Sequence, residues 1–205
     1  MLFQLFQSPT DFFSLVFALI FAITLHEFAH AATATYLGDS TAKFSGRLSL
    51  NPLKHLDPLG TLFLFIAGFG WGKPVPFDSH FVKHGRWGIA LIGLSGPTTN
   101  FLIAFFLGAF LKTGLVHTSF INIFLITIFI NIVLGVFNLI PIPPLDGSKL
   151  LEAILPESKQ HIVHELEQKG PIILFGIIIM DNILNLRILS SIIGPMFNLV
   201  ARLVL

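Results

Sequence analysis

Residues 12–37 read FFSLVFALIFAITLHEFAHAATATYL, a run whose only Asp, Glu, His, Lys or Arg residues are His26, Glu27 and His30. A bilayer crossing takes about 20 predominantly apolar residues at 1.5 Å rise each, so this run predicts a membrane-spanning helix. Working outward from it, Ile89–Leu111 and Ser119–Ile140 contain no Asp, Glu, Lys or Arg and are long enough to cross as well. Leu59–Gly70 is equally uncharged but only 12 residues long, which fits a re-entrant or interfacial segment. Pro171–Leu205 is too long for one straight span and is interrupted by Asp181, Asn182, Arg187 and Gly194-Pro195, so two short helices are expected. The resulting fold class is an all-α polytopic membrane protein, a helical bundle of about five to six membrane segments.

The bulk composition agrees. Of 205 residues, 54% are hydrophobic and 11% charged, far below the charged quarter usual in soluble domains. The 23 Phe residues, against 2 Trp and 1 Tyr, supply bulk for lipid-facing or helix-packing surfaces and no aromatic belt. A net charge of +1 without a dense Lys/Arg cluster disfavours nucleic-acid partners. Cysteine is absent, which removes disulfides, thiolate catalysis and Cys-based zinc sites, so a metal would be held by nitrogen and oxygen.

Charge also orients the chain. Met1–Asp11 holds no Lys or Arg, and the apolar run after it exceeds a signal-peptide core, so a retained helix is expected. Lys43, Arg47, Lys54, Lys73, Lys83 and Arg86 lie between the first two spans, which places that stretch in the cytoplasm. Lys149, Lys159 and Lys169 place the 141–170 connection on the same side, with the N-terminus outward. Within the first connection, Phe44, Gly46, Leu48 and Leu50 alternate with Lys43, Ser45, Arg47 and Ser49, a period of two that predicts a small strand or hairpin near 41–50. Pro156–Gly170 reads as a polar connecting helix or loop.

His26-Glu27-Phe28-Ala29-His30 matches H-E-x-x-H, in which histidines at i and i+4 share one helix face and can grip a single zinc ion. Glu27 beside them is a candidate general base, because zinc lowers the pKa of bound water towards about 7 and a nearby carboxylate can take the proton. Three ionisable residues in one turn of a span cost about 2.5–3.5 kcal/mol each on insertion scales, so they call for a compensating partner such as a metal. Catalytic zinc takes three protein ligands and keeps one open position. The leading third donor is Asp146, in Phe137-Asn138-Leu139-Ile140-Pro141-Ile142-Pro143-Pro144-Leu145-Asp146-Gly147, where prolines prevent regular helix near the membrane.

With these motifs in place the sequence resembles the site-2 protease family of intramembrane metalloproteases, in which H-E-x-x-H is followed by Asn-x-x-Pro and an Asp-Gly motif. The resemblance runs from about Phe12 to Leu151. It implies that His26, His30 and Asp146 bind one Zn2+, that Glu27 activates water, and that Asn138 orients substrate or stabilises the oxyanion. Ser95-Gly96-Pro97-Thr98-Thr99-Asn100 resembles the family's Gly-Pro-x-x-Asn element and gives Asn100 a similar role; read as residues alone, Asn100 and Asn138 equally fit interhelical hydrogen bonds. Ser148-Lys149 stands where many relatives have a second glycine and then arginine. Gly46–Gly60 looks like a stretch of a short bacterial branch, in which His55 and Asp57 line a water path, hold substrate, supply an alternative ligand or belong to a polar interfacial loop.

The implied activity is a zinc endopeptidase that cuts transmembrane segments of membrane proteins in regulated proteolysis, in the bacterial inner membrane with its site toward the cytoplasm. The implied organisation is a single domain over residues 1–205, with a catalytic core at about 12–151 and C-terminal membrane helices at 171–205. Broken helices near Gly96-Pro97 and Pro141–Pro144 would admit water, and the edge of the 43–50 strand would receive unwound substrate. The rival readings are a metal-ion transporter, disfavoured because the later spans lack carboxylates, and a silent relative, disfavoured because Glu27 is present. His80, His84, His117, His161 and His164 read as solvated side chains.

Overall fold

The computed structural model describes residues 8–67, 70–184 and 186–205. Helices dominate them: α1 (Pro9–Tyr36), α2 (Thr41–Phe44), α3 (Pro58–Ala67), α4 (Gly85–Lys112), α5 (Thr118–Asn138), α6 (Gly147–Ile154), α7 (Gln160–Leu184) and α8 (Ile188–Val204), with 3-10 turns at Pro52–Lys54 and Glu157–Lys159. Three of them, α1, α4 and α5, are long and apolar enough to cross a membrane, at the three places where uncharged runs predict spans. Helix α1 begins where Ser8 accepts the Asp11 N–H and Pro9 fills the first turn, where its missing N–H costs nothing.

α1, α4 and α5 pack against one another, α6 lies on α4, and α8 closes against α4 and α5. In lipid, apolar surface gains little by leaving its surroundings, so close backbone approach through small residues holds such helices together. Ala18, Ala22, Ala31 and Ala34 supply it on α1, and Ala104 and Gly108 on α4. Ile128, Ile132 and Val136 of α5 fill the remaining space with Val204 of α8. Phe13, Phe17, Phe105 and Phe106 point outward instead.

The strand expected at 41–50 is replaced by α2 and an irregular stretch. The buried Asp39 holds the local path: its Oδ1 accepts the N–H of Thr41, the first residue of α2 (2.9 Å), while Oδ2 accepts the Asp78 N–H (2.9 Å). The alternation does not mark two faces, since Phe44 is 86% exposed whereas Arg47 is 4% exposed.

One other expectation changes. Helix α4 runs unbroken through Gly96-Pro97, so that pair is no helix break. The C-terminal region divides in two as expected, at Arg187 (φ +58°), one of the named interruptions, whereas Asp181 lies inside α7 and Pro195 inside α8. The polar 160–170 stretch is the first part of α7. Of the short apolar segment, Pro58–Ala67 is helical, and residues 68 and 69 lie outside the described residues, as does most of the Met1–Asp11 segment.

Candidate metal centre

One turn of α1 carries His26 and His30, whose rings meet edge to face with centroids 4.6 Å apart. Asp146 reaches them from the irregular segment between α5 and α6. The distances His26 Nε2 to His30 Nε2 and His26 Nε2 to Asp146 Oδ2 are both 3.0 Å, and His30 Nε2 to Asp146 Oδ2 is 3.1 Å. Tetrahedral zinc with bonds of about 2.0–2.1 Å has donor–donor edges of about 3.3 Å. The three atoms thus form a triangle within a few tenths of an ångström of that face, and they are the one His/Asp/Glu group of this kind among the described residues.

The protons on the imidazoles are set from outside the triangle. His30 Nδ1 lies 2.7 Å from the Ile92 carbonyl, which can only accept, so this nitrogen carries the proton. His26 Nδ1 lies 2.6 Å from Asn100 Oδ1. The amide of Asn100 is held in that orientation because its Nδ2 donates to Asn131 Oδ1 (2.9 Å), and Asn131 Nδ2 donates in turn to the Thr127 carbonyl (2.8 Å). A chain of amides ending on a backbone oxygen therefore fixes His26 as an Nδ1–H donor. In each neutral ring the Nε2 lone pair is left for a metal, the arrangement that partners behind ligating histidines enforce.

Close packing by glycine makes room for this set. A Cβ at Gly96 would lie 2.5 Å from His30 Nε2 and 2.6 Å from His26 Nε2, so glycine lets α4 press against both rings. A Cβ at Gly147 would lie 2.2 Å from the Leu139 carbonyl oxygen, so the glycine after Asp146 lets the chain fold back on the end of α5. Ser148, by contrast, is ordinary helix in α6 with its hydroxyl on the Leu145 carbonyl (2.6 Å), a position with no need of glycine.

Asp146 is 7% exposed. Burial on its own raises its carboxyl, but the His30 and His26 imidazoles, when they hold a proton at Nε2 in place of a metal, and the Lys149 ammonium pull it well below the usual carboxylate range. Lys149 Nζ lies 3.1 Å from Oδ1, leaving Oδ2 to complete the triangle. The side chain thus stays in the ionised form that binds metals.

These groups open onto a cavity of about 480 Å3 between α1, α5 and the extended segment 70–77. Its polar lining includes His26, Glu27, His30, Asp146, Lys149 and Asn138; most of the rest is apolar. Asn138 uses one amide hydrogen on the Leu134 carbonyl (3.0 Å), and its second remains as a donor. Asn100 is fully buried against His26 Nδ1 and is not among the residues lining the cavity.

Other candidates lie apart from the centre. His55 is fully buried with Nε2 2.6 Å from the Ser49 carbonyl, and Asp57 caps α3 through the Gly60 N–H (2.8 Å). His80 pairs with Asp78, and His164 with Gln168. Asn131 was legible only as one of three amides, with Asn122 and Asn138, in an uncharged span, a group that hydrocarbon leaves unsatisfied and that therefore implies a partner.

Comparison with known proteins assigns the family. A match to Peptidase family M50 covers residues 110–180. YwhC of Bacillus subtilis, which carries a zinc metalloprotease name, is 42% identical over 170 residues, or 78% of this chain and 77% of that protein. Rip2 of Mycolicibacterium smegmatis and Rip2 of Mycobacterium tuberculosis carry zinc metalloprotease names too. The first is 31% identical over 168 residues (78% of this chain, 64% of its own) and the second 35% over 148 residues (68% and 56%). No solved structure matches the chain. Given a 42% identical relative matched along 77% of its length, a donor set suited to Zn2+ and three membrane-length helices, the chain is an integral membrane member of peptidase family M50, the site-2 protease family of zinc metalloproteases.

Proposed function

We propose that the protein is a zinc-dependent intramembrane endopeptidase that hydrolyses peptide bonds in or near transmembrane segments of membrane-protein substrates, in regulated proteolysis. The observation that carries this reading is the convergence of His26, His30 and Asp146, with Glu27 beside them, on a cavity walled by helices of membrane length. We place the enzyme in the bacterial inner membrane with its site toward the cytoplasm, on the Lys/Arg distribution of the 37–89 and 141–170 connections. In this reading 1–205 forms a single domain with its catalytic core in 12–151. The helices α3, α7 and α8 add to the three long ones to make five to six membrane segments.

His26 Nε2, His30 Nε2 and Asp146 Oδ2 would hold the ion, leaving one position toward the cavity. Zinc, when bound, acidifies water and polarises a carbonyl. Glu27 accepts the proton of the attacking water and returns it to the leaving amine, so one carboxylate serves as base and then as acid. Asn138, with a free amide hydrogen on the cavity wall, is placed to orient the substrate or to stabilise its oxyanion. Asn100 acts through His26.

The cavity bears on the form of the substrate. A helix with side chains is about 10–12 Å across, so a cylinder of that width filling about 480 Å3 is only about 4–6 Å long, roughly one turn. A helix also keeps its peptide groups in its own hydrogen bonds, so in this reading a spanning substrate unwinds before its peptide bond reaches the centre. The test uses purified protein in proteoliposomes with a transmembrane test substrate and mass spectrometry of the products. A cut within or at the edge of the substrate's apolar segment, lost on chelation and restored by zinc, is expected. Cleavage confined to soluble peptides would contradict the intramembrane reading.

A further inference from the structure

Arg47 is a buried cation that the hydrolytic scheme leaves unused. It lies in an irregular stretch between α1 and α3, where an arginine is ordinarily solvated, yet it is 4% exposed. Its placement begins with Gly46, whose φ of +69° ends α2 with two reversed bonds: Arg47 N–H to the Ala42 carbonyl (2.8 Å) and Gly46 N–H to the Lys43 carbonyl (3.0 Å). The chain is thereby turned back toward α1.

There Arg47 Nη2 donates to the Lys73 carbonyl and lies 4.0 Å from Glu27 Oε2. Lys73 is itself held, since its N–H donates to the His55 carbonyl (2.8 Å), and the buried His55 is tied to Ser49. Glu27 Oε1 lies near Gly72, where an added Cβ would be 3.6 Å away. Arg47 Nε and Nη1 have no hydrogen-bond partner among the described residues, and Glu27 is the one carboxylate paired with the guanidinium there. A buried charge is tolerated when it is paired, so the placement of Arg47 and that of Glu27 depend on each other.

We propose that Arg47 is a positioning residue for Glu27: anchored on the Lys73 carbonyl, its guanidinium draws Oε2 toward itself and fixes which carboxylate oxygen faces the cavity. Arg47 does not line that cavity and touches no reacting atom. Because Lys73 belongs to the 70–77 segment that does line it, the same contact ties the position of the base to the cavity wall. The proposal deepens the hydrolytic reading and rests on Glu27 as base.

The test compares wild type with Arg47→Met, Arg47→Lys, Glu27→Gln and the double variant Glu27→Gln/Arg47→Met, all in the full chain. Arg47→Met is expected to keep its zinc and its KM while kcat falls by about 10²-fold, the cost of misplacing a reacting group by about an ångström. Arg47→Lys should recover part of that loss, and Arg47→Met should cause no further loss in the Glu27→Gln background, because the two side chains act as a unit. In zinc-stripped protein, thermal unfolding of the same set should be non-additive, the double variant being less destabilised than the sum of the singles. A raised KM at unchanged kcat, loss of zinc in Arg47→Met, or additive unfolding effects would each overturn the proposal. If Arg47→Met does not accumulate, the unfolding cycle is run with Arg47→Lys and decides on the same criterion. A Glu27→Gln variant that cuts normally would remove the general-base reading alone, while the metal-free cycle still reports whether the two residues are coupled.

Discussion

Glu27→Gln is expected to stop cleavage while leaving zinc in place. The amide keeps the size of the carboxylate but has no lone pair basic enough to take a proton from water, and general-base catalysis of this kind contributes about 10²–10⁴-fold to the rate. Glu27 stands outside the His26–His30–Asp146 triangle, so the metal count should not change. Single-turnover cleavage of a transmembrane test substrate, with zinc per chain measured by mass spectrometry on the same sample, reads both quantities. Normal cleavage by Glu27→Gln would show that the proton goes elsewhere. Joint loss of zinc and activity would show that Glu27 holds the metal or the fold.

Gly96→Ala should weaken zinc binding although Gly96 offers no ligand. The new Cβ would lie 2.5 Å from one ligating nitrogen and 2.6 Å from the other, well inside the 3.5–4.0 Å at which such atoms attract. Neither ring can swing aside cheaply, because His30 is tied to the Ile92 carbonyl and His26 to the amides of Asn100 and Asn131. Either α4 backs away or the triangle opens. Disturbed ligand orientation typically costs 10–100-fold in metal affinity, and that range is expected in a titration against a competing chelator. Wild-type affinity in Gly96→Ala would mean that the approach of α4 does not set the ring positions.

Why some of this is readable from sequence and some is not follows from the physics of each part. The three long helices were legible because hydrocarbon tolerates no unpaired backbone, so an uncharged run of sufficient length has one economical form. The convergence of the candidate metal donors was legible because i,i+4 spacing on a helix brings two of them together, and because an Asp-Gly after a proline-rich span end resembles a known motif. Residues 41–50 mislead: a period of two suggests two faces, whereas the Asp39 carboxylate on the Thr41 N–H and the local turn at Gly46 set the path, and Asp39 is itself held by the Asp78 N–H, 39 residues along the chain. Gly96-Pro97 misled for a similar reason, since a glycine required by two imidazoles on another helix looks, in one dimension, like a helix break. Asn131 and Arg47 carried a weak signal, a polar group where it ought to be costly, but their partners lie 31 and 20 or more residues away and only folding reveals them.

The most direct test of the account is X-ray absorption at the zinc edge on purified wild type beside Asp146→Ala, with zinc per chain measured on both. The account predicts one zinc per wild-type chain, with two imidazole nitrogens and at least one carboxylate oxygen at about 2.0–2.1 Å, and loss of the metal or of that oxygen in Asp146→Ala. A full zinc complement with an unchanged coordination shell in Asp146→Ala would contradict it.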